Sequence, residues 1–389
     1  MPADRSRRQH RGIARPSNLP VFDAHVDSLQ RQLDLGHDLG ARTDGHLDLV
    51  RGVEGGLRSA VFVCWVDPRH IGEPGGARAR TETLLSEFHA LARRHPEKIR
   101  AAGNAREVED AHAAGLVAGI PGIEGGHAIE ESLDVLHGYF ERGVRVLTLV
   151  WNNHLAWIRS CRDGAGASVP EGLSAFGRDV VAAMNELGML VDLSHAGEQS
   201  FFDALDASSA PLIASHSGCK SLHAHPRNLT DDQLRALARH GGVVGIPFCV
   251  AFLSSSAQAE DERLRQTEEY RTIAGRNDSH TSLEQGRFLQ RRAAPLPLDA
   301  VADHVLHAVE IAGVDHVGIG SDYDGIGRTP QGLEDASCYP NLAARLRERG
   351  LDSGDVAKIL SGNMQRIFDR ATGPGTEASR AGAEKIRIP

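Results

Sequence analysis

The sequence predicts an α/β fold, a (β/α)8 TIM-type barrel of eight parallel strands with a binuclear metal site at its C-terminal mouth. Three observations predict it. Short β-rich runs alternate with helical segments, the pattern of βα units around a parallel sheet. Eight such runs can be counted, the number a closed barrel needs. Acids and histidines cluster where these runs end, and such barrels place their chemistry there.

The first run is Val21–Asp27 and the second Ser59–Val66, followed by a helical stretch over Arg78–Arg94. The third strand, Leu116–Glu124, ends in Gly125-Gly126. A helix over Ser132–Arg142 then leads to the fourth, Val144–Val150. A helix over Ser174–Leu187 precedes the fifth, Met189–His195, and the sixth is Pro211–His216. Thr230 is placed to cap a helix over Asp231–His240. Gly242–Phe248 is the seventh strand, and a helix over Leu298–Ala312 precedes the eighth, His316–Asp322. The strands read as continuous apolar runs, as strands buried on both faces do. Between the last two lies a polar excursion, Ser254–Arg292. It is too long for a plain loop and is expected to pack as extra helices at the rim.

The 389 residues suffice for one large barrel or two ordinary domains, and the reading adopted is one barrel over 20–370. Residues 1–19 carry Arg5, Arg7, Arg8, Arg11 and Arg15 with no apolar run after them, so they read as a disordered basic arm rather than a secretory signal. Residues 371–389, rich in Gly, Ala and Ser, read as a mobile tail. A net charge of −9 argues against nucleic acid as partner. No apolar stretch is long enough to span a membrane. Five cysteines without a CxxC pair favour a reducing compartment. A cytoplasmic location is expected.

The polar residues at the strand ends carry the functional reading. His25 and Asp27 close the first strand, Glu124 the third, His195 the fifth, His216 the sixth and Asp322 the eighth, with His154 just beyond the fourth. Taken singly, each has a bland explanation: a hydrogen-bonded rim histidine, or an aspartate capping the next helix. Their joint placement at one end of a barrel points instead to a metal centre. Residues i and i+2 of a strand share a face, so His25 and Asp27 could bind one cation. His195 and His216 could hold a second, with Glu124 bridging. Imidazole and carboxylate ligands without thiolate suit zinc, while cobalt or manganese could substitute. No GxSxG elbow and no GxGxxG after a strand is present, which disfavours serine nucleophile chemistry and nucleotide binding.

These residues stand in blocks that resemble the membrane dipeptidase (renal dipeptidase) family. The blocks run from Phe22-Asp23-Ala24-His25-Val26-Asp27 through Gly122-Ile123-Glu124-Gly125-Gly126 and Asp192-Leu193-Ser194-His195 to Ala214-Ser215-His216-Ser217. They continue with His225-Pro226-Arg227-Asn228-Leu229-Thr230-Asp231, with Gly318-Ile319-Gly320-Ser321-Asp322-Tyr323-Asp324-Gly325 and with Gly332-Leu333-Glu334-Asp335. The resemblance covers most of the chain between Phe22 and Phe368 and leaves out both terminal arms.

The resemblance implies a zinc dipeptidase with two zinc ions per chain, His25 and Asp27 on one, His195 and His216 on the other, and Glu124 between. It implies Asp322 as the acid/base residue, with Asp324-Gly325 left as a turn. Arg227 would bind the carboxylate of a dipeptide substrate, a task a planar guanidinium suits. The family's substrate-holding histidine after the fourth strand is replaced by Trp151, and His154 follows three residues later as the candidate for that task. The resemblance further implies D-residues at the C-terminal position and a homodimer. Two other readings stay open on the residues alone. One is another binuclear metal-dependent amide or lactone hydrolase of the same barrel superfamily, although HxD with a bridging-type Glu departs from the HxH opening of many of those. The other is an inactive barrel serving as a binding module.

Overall fold

The computed structural model describes residues 19–276 and 280–373. Among these residues there are nine strands: β1 (Val21–Val26), β2 (Leu57–Trp65), β3 (Ile99–Ala101), β4 (Val117–Glu124), β5 (Val146–Thr148), β6 (Leu190–Asp192), β7 (Ile213–Ala214), β8 (Val243–Ile246) and β9 (Val317–Ile319). All neighbours pair parallel, in the order β1-β2-β4-β5-β6-β7-β8-β9. The pairing of β9 with β1 closes an eight-stranded barrel. These eight correspond to the eight runs read from the sequence. The ninth, β3, was not anticipated. It is three residues long, too short to show a period, and it borrows an edge of β4. One edge of β4 pairs with β2, while the other is divided between β3 at Val117–Gly119 and β5 at Gly122–Glu124.

Most strands are shorter than their apolar runs. Met189–His195 yields only Leu190–Asp192, because the chain leaves the ladder as it approaches the mouth. The helices follow the expected pattern closely: Gly76–Arg94, Leu133–Glu141, Ala175–Leu187, Asp231–Arg239 and Asp299–Ala312. Thr230 caps its helix in full, accepting from the Gln233 amide while the Gln233 side chain accepts from the Thr230 amide.

The core has two layers, as a packed barrel requires. The interior is filled by residues such as Phe22, Val61, Val63, Ile120, Val146, Leu190, Ile213 and Val243. The last helix, Asn363–Thr372, closes the N-terminal end with Met364, Ile367 and Phe368. The outward strand faces pack against the surrounding helices in a larger cluster.

The polar excursion folds as helices Ser255–Arg265, Glu268–Ala274 and Thr281–Arg292 around a small core of Leu264, Ile273, Phe288 and Leu289. A buried ion pair, Arg328 Nε to Asp261 Oδ1 at 2.7 Å, ties it to the loop after β9. Among the described residues no helix is long and apolar enough to cross a membrane. The expected basic arm lies outside the described residues save for Leu19. The expected tail does too, save for Ala371–Gly373, where the last helix ends at Thr372.

Candidate metal centre

Every candidate ligand lies at or within three residues of the C-terminal end of its strand, so closing the barrel brings them together. In β1 the alternation needs help. Phe22 and Ala24 point into the barrel and Val26 belongs to the outer layer, which would turn His25 outward. The pairing of β1 with β2 shifts register between Asp23 and Val26. Such an irregularity re-aims side chains, and it turns His25 and Asp27 into the mouth.

Glu124 is the hub. Its Oε1 lies 2.9 Å from His195 Nε2, 3.4 Å from His216 Nε2 and 3.6 Å from His25 Nε2. His195 Nε2 and His216 Nε2 are 3.1 Å apart, and Asp27 Oδ2 is 3.5 Å from His25 Nε2. All five residues are at most 5% exposed.

The other ring nitrogens explain why these Nε2 atoms face one another. Ser215 Oγ donates to Asp192 Oδ2 at 2.6 Å, which leaves its lone pairs to accept from His216 Nδ1 at 2.8 Å and His25 Nδ1 at 3.2 Å. His195 Nδ1 donates to Asn152 Oδ1 at 3.0 Å. With Nδ1 donating on each ring, the neutral imidazole has its Nε2 lone pair aimed at one small volume, the tautomer that metal-binding histidines adopt. Among the described residues the buried His25 Nε2 has no hydrogen-bond partner. An uncompensated buried nitrogen is costly, and a cation would satisfy it. The donor set therefore fits divalent metal ions. Two three-residue groups have ligand atoms all within 4.8 Å of one another: His25, Glu124 and His216, and His25, Asp27 and Asp322.

Burial drives the protonation pattern. It pushes His195 down to about 4 and His216 well below the ordinary histidine range, with the Arg227 charge adding to both and that of His25 adding more to His216. It pushes Asp27 up to about 6, with the Glu124 charge adding, and Asp322 well above the carboxylate range, with the Asp27 charge adding. Burial would also raise Glu124, but the His25 charge and the close approach of His195 and His216 outweigh it and hold the carboxylate well below its usual range. Burial would lower His25, but Glu124 and Asp27 raise it well above.

Asp322 and Asp27 flank Gly325. A Cβ there would sit 2.3 Å from Asp27 Oδ2 and 2.4 Å from Asp322 Oδ1, so only glycine admits both carboxylates. His195 and Asp322 both adopt left-handed backbone, with φ of 69° and 62°. That conformation costs a non-glycine residue roughly 1 kcal/mol or more and concentrates at functional sites. Asp324, also left-handed, turns away from the mouth and pairs with Arg31 at 2.7 Å. Its structural part is larger than a turn residue's: it also accepts from Ser28 Oγ and the His46 amide.

Arg227 is 3% exposed beside the imidazoles. Its Nη2 donates to His216 O at 3.0 Å, its Nη1 lies 3.4 Å from Ser217 Oγ, and its Nε has no partner. Its guanidinium carbon stands 5.2 Å from the centre of the Phe252 ring. His154 is not brought to the cluster. Its Nδ1 accepts from the Ser160 amide and its Nε2 lies 3.4 Å from Asp163 O, so both nitrogens are engaged within its own loop. Trp151 stands at the mouth instead, its ring centre 6.1 Å from that of His195 and edge-on to Trp65 at 5.2 Å.

Sequence reasoning assigned no role to Asn152, Ser215 or Asp192, the residues that orient the imidazoles. Asp192 accepts from Thr148 Oγ1, Ser215 Oγ and the Ser194 and Ser215 amides, a fixed post beneath the site. Its only signal in the sequence was a carboxylate inside an apolar strand, three residues before His195.

A closed parallel barrel that gathers imidazoles and carboxylates at its C-terminal mouth defines the class of metal-dependent hydrolases. Within that class, the membrane dipeptidase model, peptidase family M19, matches residues 10–379. The chain belongs to that family and is a metallo-dipeptidase. An uncharacterized dipeptidase of Schizosaccharomyces pombe is 31% identical over 370 residues, covering 90% of this chain and 80% of the yeast protein. The solved structure of dipeptidase AC, a metallopeptidase of family M19, superposes with a TM-score of 0.74 at 30% identity, over 91% of this chain and 99% of the other. A metallopeptidase from Rhodobacter sphaeroides, bound to a phosphinate mimic of the dipeptide L-Ala-D-Ala, has a TM-score of 0.74 at 29% identity, with the same coverage.

Proposed function

We propose that this chain is a two-zinc dipeptidase that hydrolyses free dipeptides and accepts a D-residue at their C-terminal position. The observation that carries the reading is the ring of three Nε2 atoms around Glu124 Oε1, each held in its metal-binding tautomer by a partner on Nδ1. His25 and Asp27 would hold one ion, His195 and His216 the other, and Glu124 would lie between them. The ions, when bound, polarise the scissile carbonyl and lower the pKa of water.

The remaining steps belong to the chain itself. Asp322 sits against Asp27 in a buried pocket, where burial and the Asp27 charge raise its carboxyl well above the usual carboxylate range. A carboxylate of raised pKa is the stronger base, suited to take a proton from the attacking water and then, as the acid so formed, to deliver it to the leaving amine. Arg227, buried and without a carboxylate partner among the described residues, would clamp the substrate's terminal carboxylate. That clamp would confine turnover to short peptides whose carboxylate lies one residue from the cleaved bond. The phosphinate dipeptide mimic bound by the Rhodobacter sphaeroides relative supports acceptance of a D-residue.

The test is metal analysis of the purified enzyme, joined to hydrolysis of L,L and L,D dipeptides and of the matching dipeptide amides. About two zinc ions per chain are expected. Amides should be cleaved about 100-fold more slowly than free dipeptides, since a buried guanidinium left unpaired is costly. Equal rates on the amides would remove Arg227 from substrate binding, and turnover of lactones in preference to dipeptides would overturn the assignment.

A further inference from the structure

A cavity of about 330 Å³ opens beside the metal centre, between the loops that follow β5, β6 and β7. Its wall includes His195, Arg227, Lys220, Arg159 and the Gly197-Glu198 start of the helix Glu198–Ala207. We infer that this cavity receives the side chain of the dipeptide's C-terminal residue and selects an acidic one, with Lys220 as the specificity-determining cation. The inference rests on the dipeptidase reading above and names the substrate class that reading leaves open.

The argument starts from a surplus of positive charge. One α-carboxylate needs one partner, and Arg227 is placed to supply it, with a buried Nε that has no hydrogen-bond partner among the described residues. Lys220 is then left over. It is half-buried on the cavity wall, and among the described residues its ammonium group has no carboxylate within ion-pair distance and no hydrogen-bond acceptor. The helix start adds to the same sign. Gly197 offers no side chain to cap the first-turn amides of Glu198–Ala207, and such amides favour an anion.

Several other polar groups of the wall are already engaged. Arg159 donates to Pro170 O and Val169 O, the Asn228 side chain to His223 O and Phe252 O, and Gln233 accepts from the Thr230 amide. The cavity's two acids, Asp163 and Glu198, are exposed, where water and salt screen them. The free polar capacity inside the cavity is therefore cationic. A second carboxylate one or two methylenes from the first would meet Lys220. Its neutral amide isostere would desolvate the same groups without the charge.

The experiment compares kcat/KM for isosteric pairs, Ala-Asp against Ala-Asn and Ala-Glu against Ala-Gln, in L,L and L,D forms, with parent enzyme and with Lys220→Met. The parent should prefer the acid over the amide by about 10- to 100-fold in at least one pair. Lys220→Met should bring that ratio close to one, and Lys220→Arg should restore it. Metal content provides the control for folding. A parent ratio near one overturns the inference while leaving the dipeptidase reading intact. An undiminished ratio in Lys220→Met does the same, as does a variant that loses both substrates in equal proportion. Failure to cleave any of the four dipeptides, with metal bound, overturns the dipeptidase reading itself and the inference with it.

Discussion

The two flanks of the mouth are both buried and are pushed toward opposite proton states. On the β1/β9 flank, Asp322 is pushed well above the carboxylate range, toward its neutral form. On the β6/β7 flank, His195 and His216 are pushed down and lose their protons. Desolvation is the leading cause on both sides, because it favours the neutral form of either group. For a carboxyl the neutral form is a proton donor, and for an imidazole it is a ligand with a free lone pair. One physical effect, acting on two residue types, thus supplies an acid on one flank and metal ligands on the other. The exceptions are equally instructive. Glu124 and His25 are just as buried, but each lies beside opposite charge, and there the local charges win.

The largest break in this comparison is Asp322→Asn, which removes the proton carrier and keeps the shape. Loss of a general acid/base costs about 10²- to 10⁴-fold in kcat. Metal content should stay near that of the parent, because the imidazole flank and Glu124 are untouched. Single-turnover kinetics with metal analysis would check both. Full activity would exclude Asp322 from proton transfer, and loss of metal would make it a ligand instead.

Asn152→Ala tests the other flank more gently. It removes the acceptor that fixes His195 Nδ1, so the ring is free to turn and to exchange tautomers. Such outer partners are worth about 10- to 100-fold in metal affinity. The expected result is a rightward shift of that size in the zinc titration, with kcat recovered at saturating metal. An unchanged titration would show that packing against Trp151 alone holds the ring.

How much of this was legible beforehand follows from which signals are local. The eight barrel strands are apolar runs bounded by turns, and each ligand stands at the end of such a run, so alternation and position located both. β3 was invisible because Ile99–Ala101 draws its stability from the edge of β4 rather than from its own pattern. Asn152, Ser215 and Asp192 were passed over because a hydrogen bond between strand ends leaves no period in the sequence. His154 shows the opposite failure. It has the right chemistry close to the right strand, but its ring is held by Ser160 and Asp163 of its own loop. Trp151, three residues earlier, occupies the wall of the mouth.

Asp324 sharpens the comparison, since it lies two residues from Asp322, also has a buried carboxyl and is shifted the opposite way. Burial alone would raise it, but the Arg31 guanidinium, His46 and the Ser28 hydroxyl hold it below the usual carboxylate range. A carboxylate with a depressed folded pKa stabilises the protein above its unfolded pKa, about 3.9. That stabilisation is lost as pH falls through the lower folded value. Ser28→Ala removes one donor, Ser28 Oγ at 2.5 Å, and keeps the Arg31 pair. The expected cost is about 1.5 kcal/mol at neutral pH, typical of one hydrogen bond to a charged group. Because the bond favours the ionised form, the difference between variant and parent should be constant above about pH 5 and shrink below pH 4. Denaturant unfolding at pH 7 and pH 3 reads it directly. A difference that persists unchanged at pH 3 would mean that Ser28 acts through packing, and that Asp324 does not owe its charge to this hydroxyl.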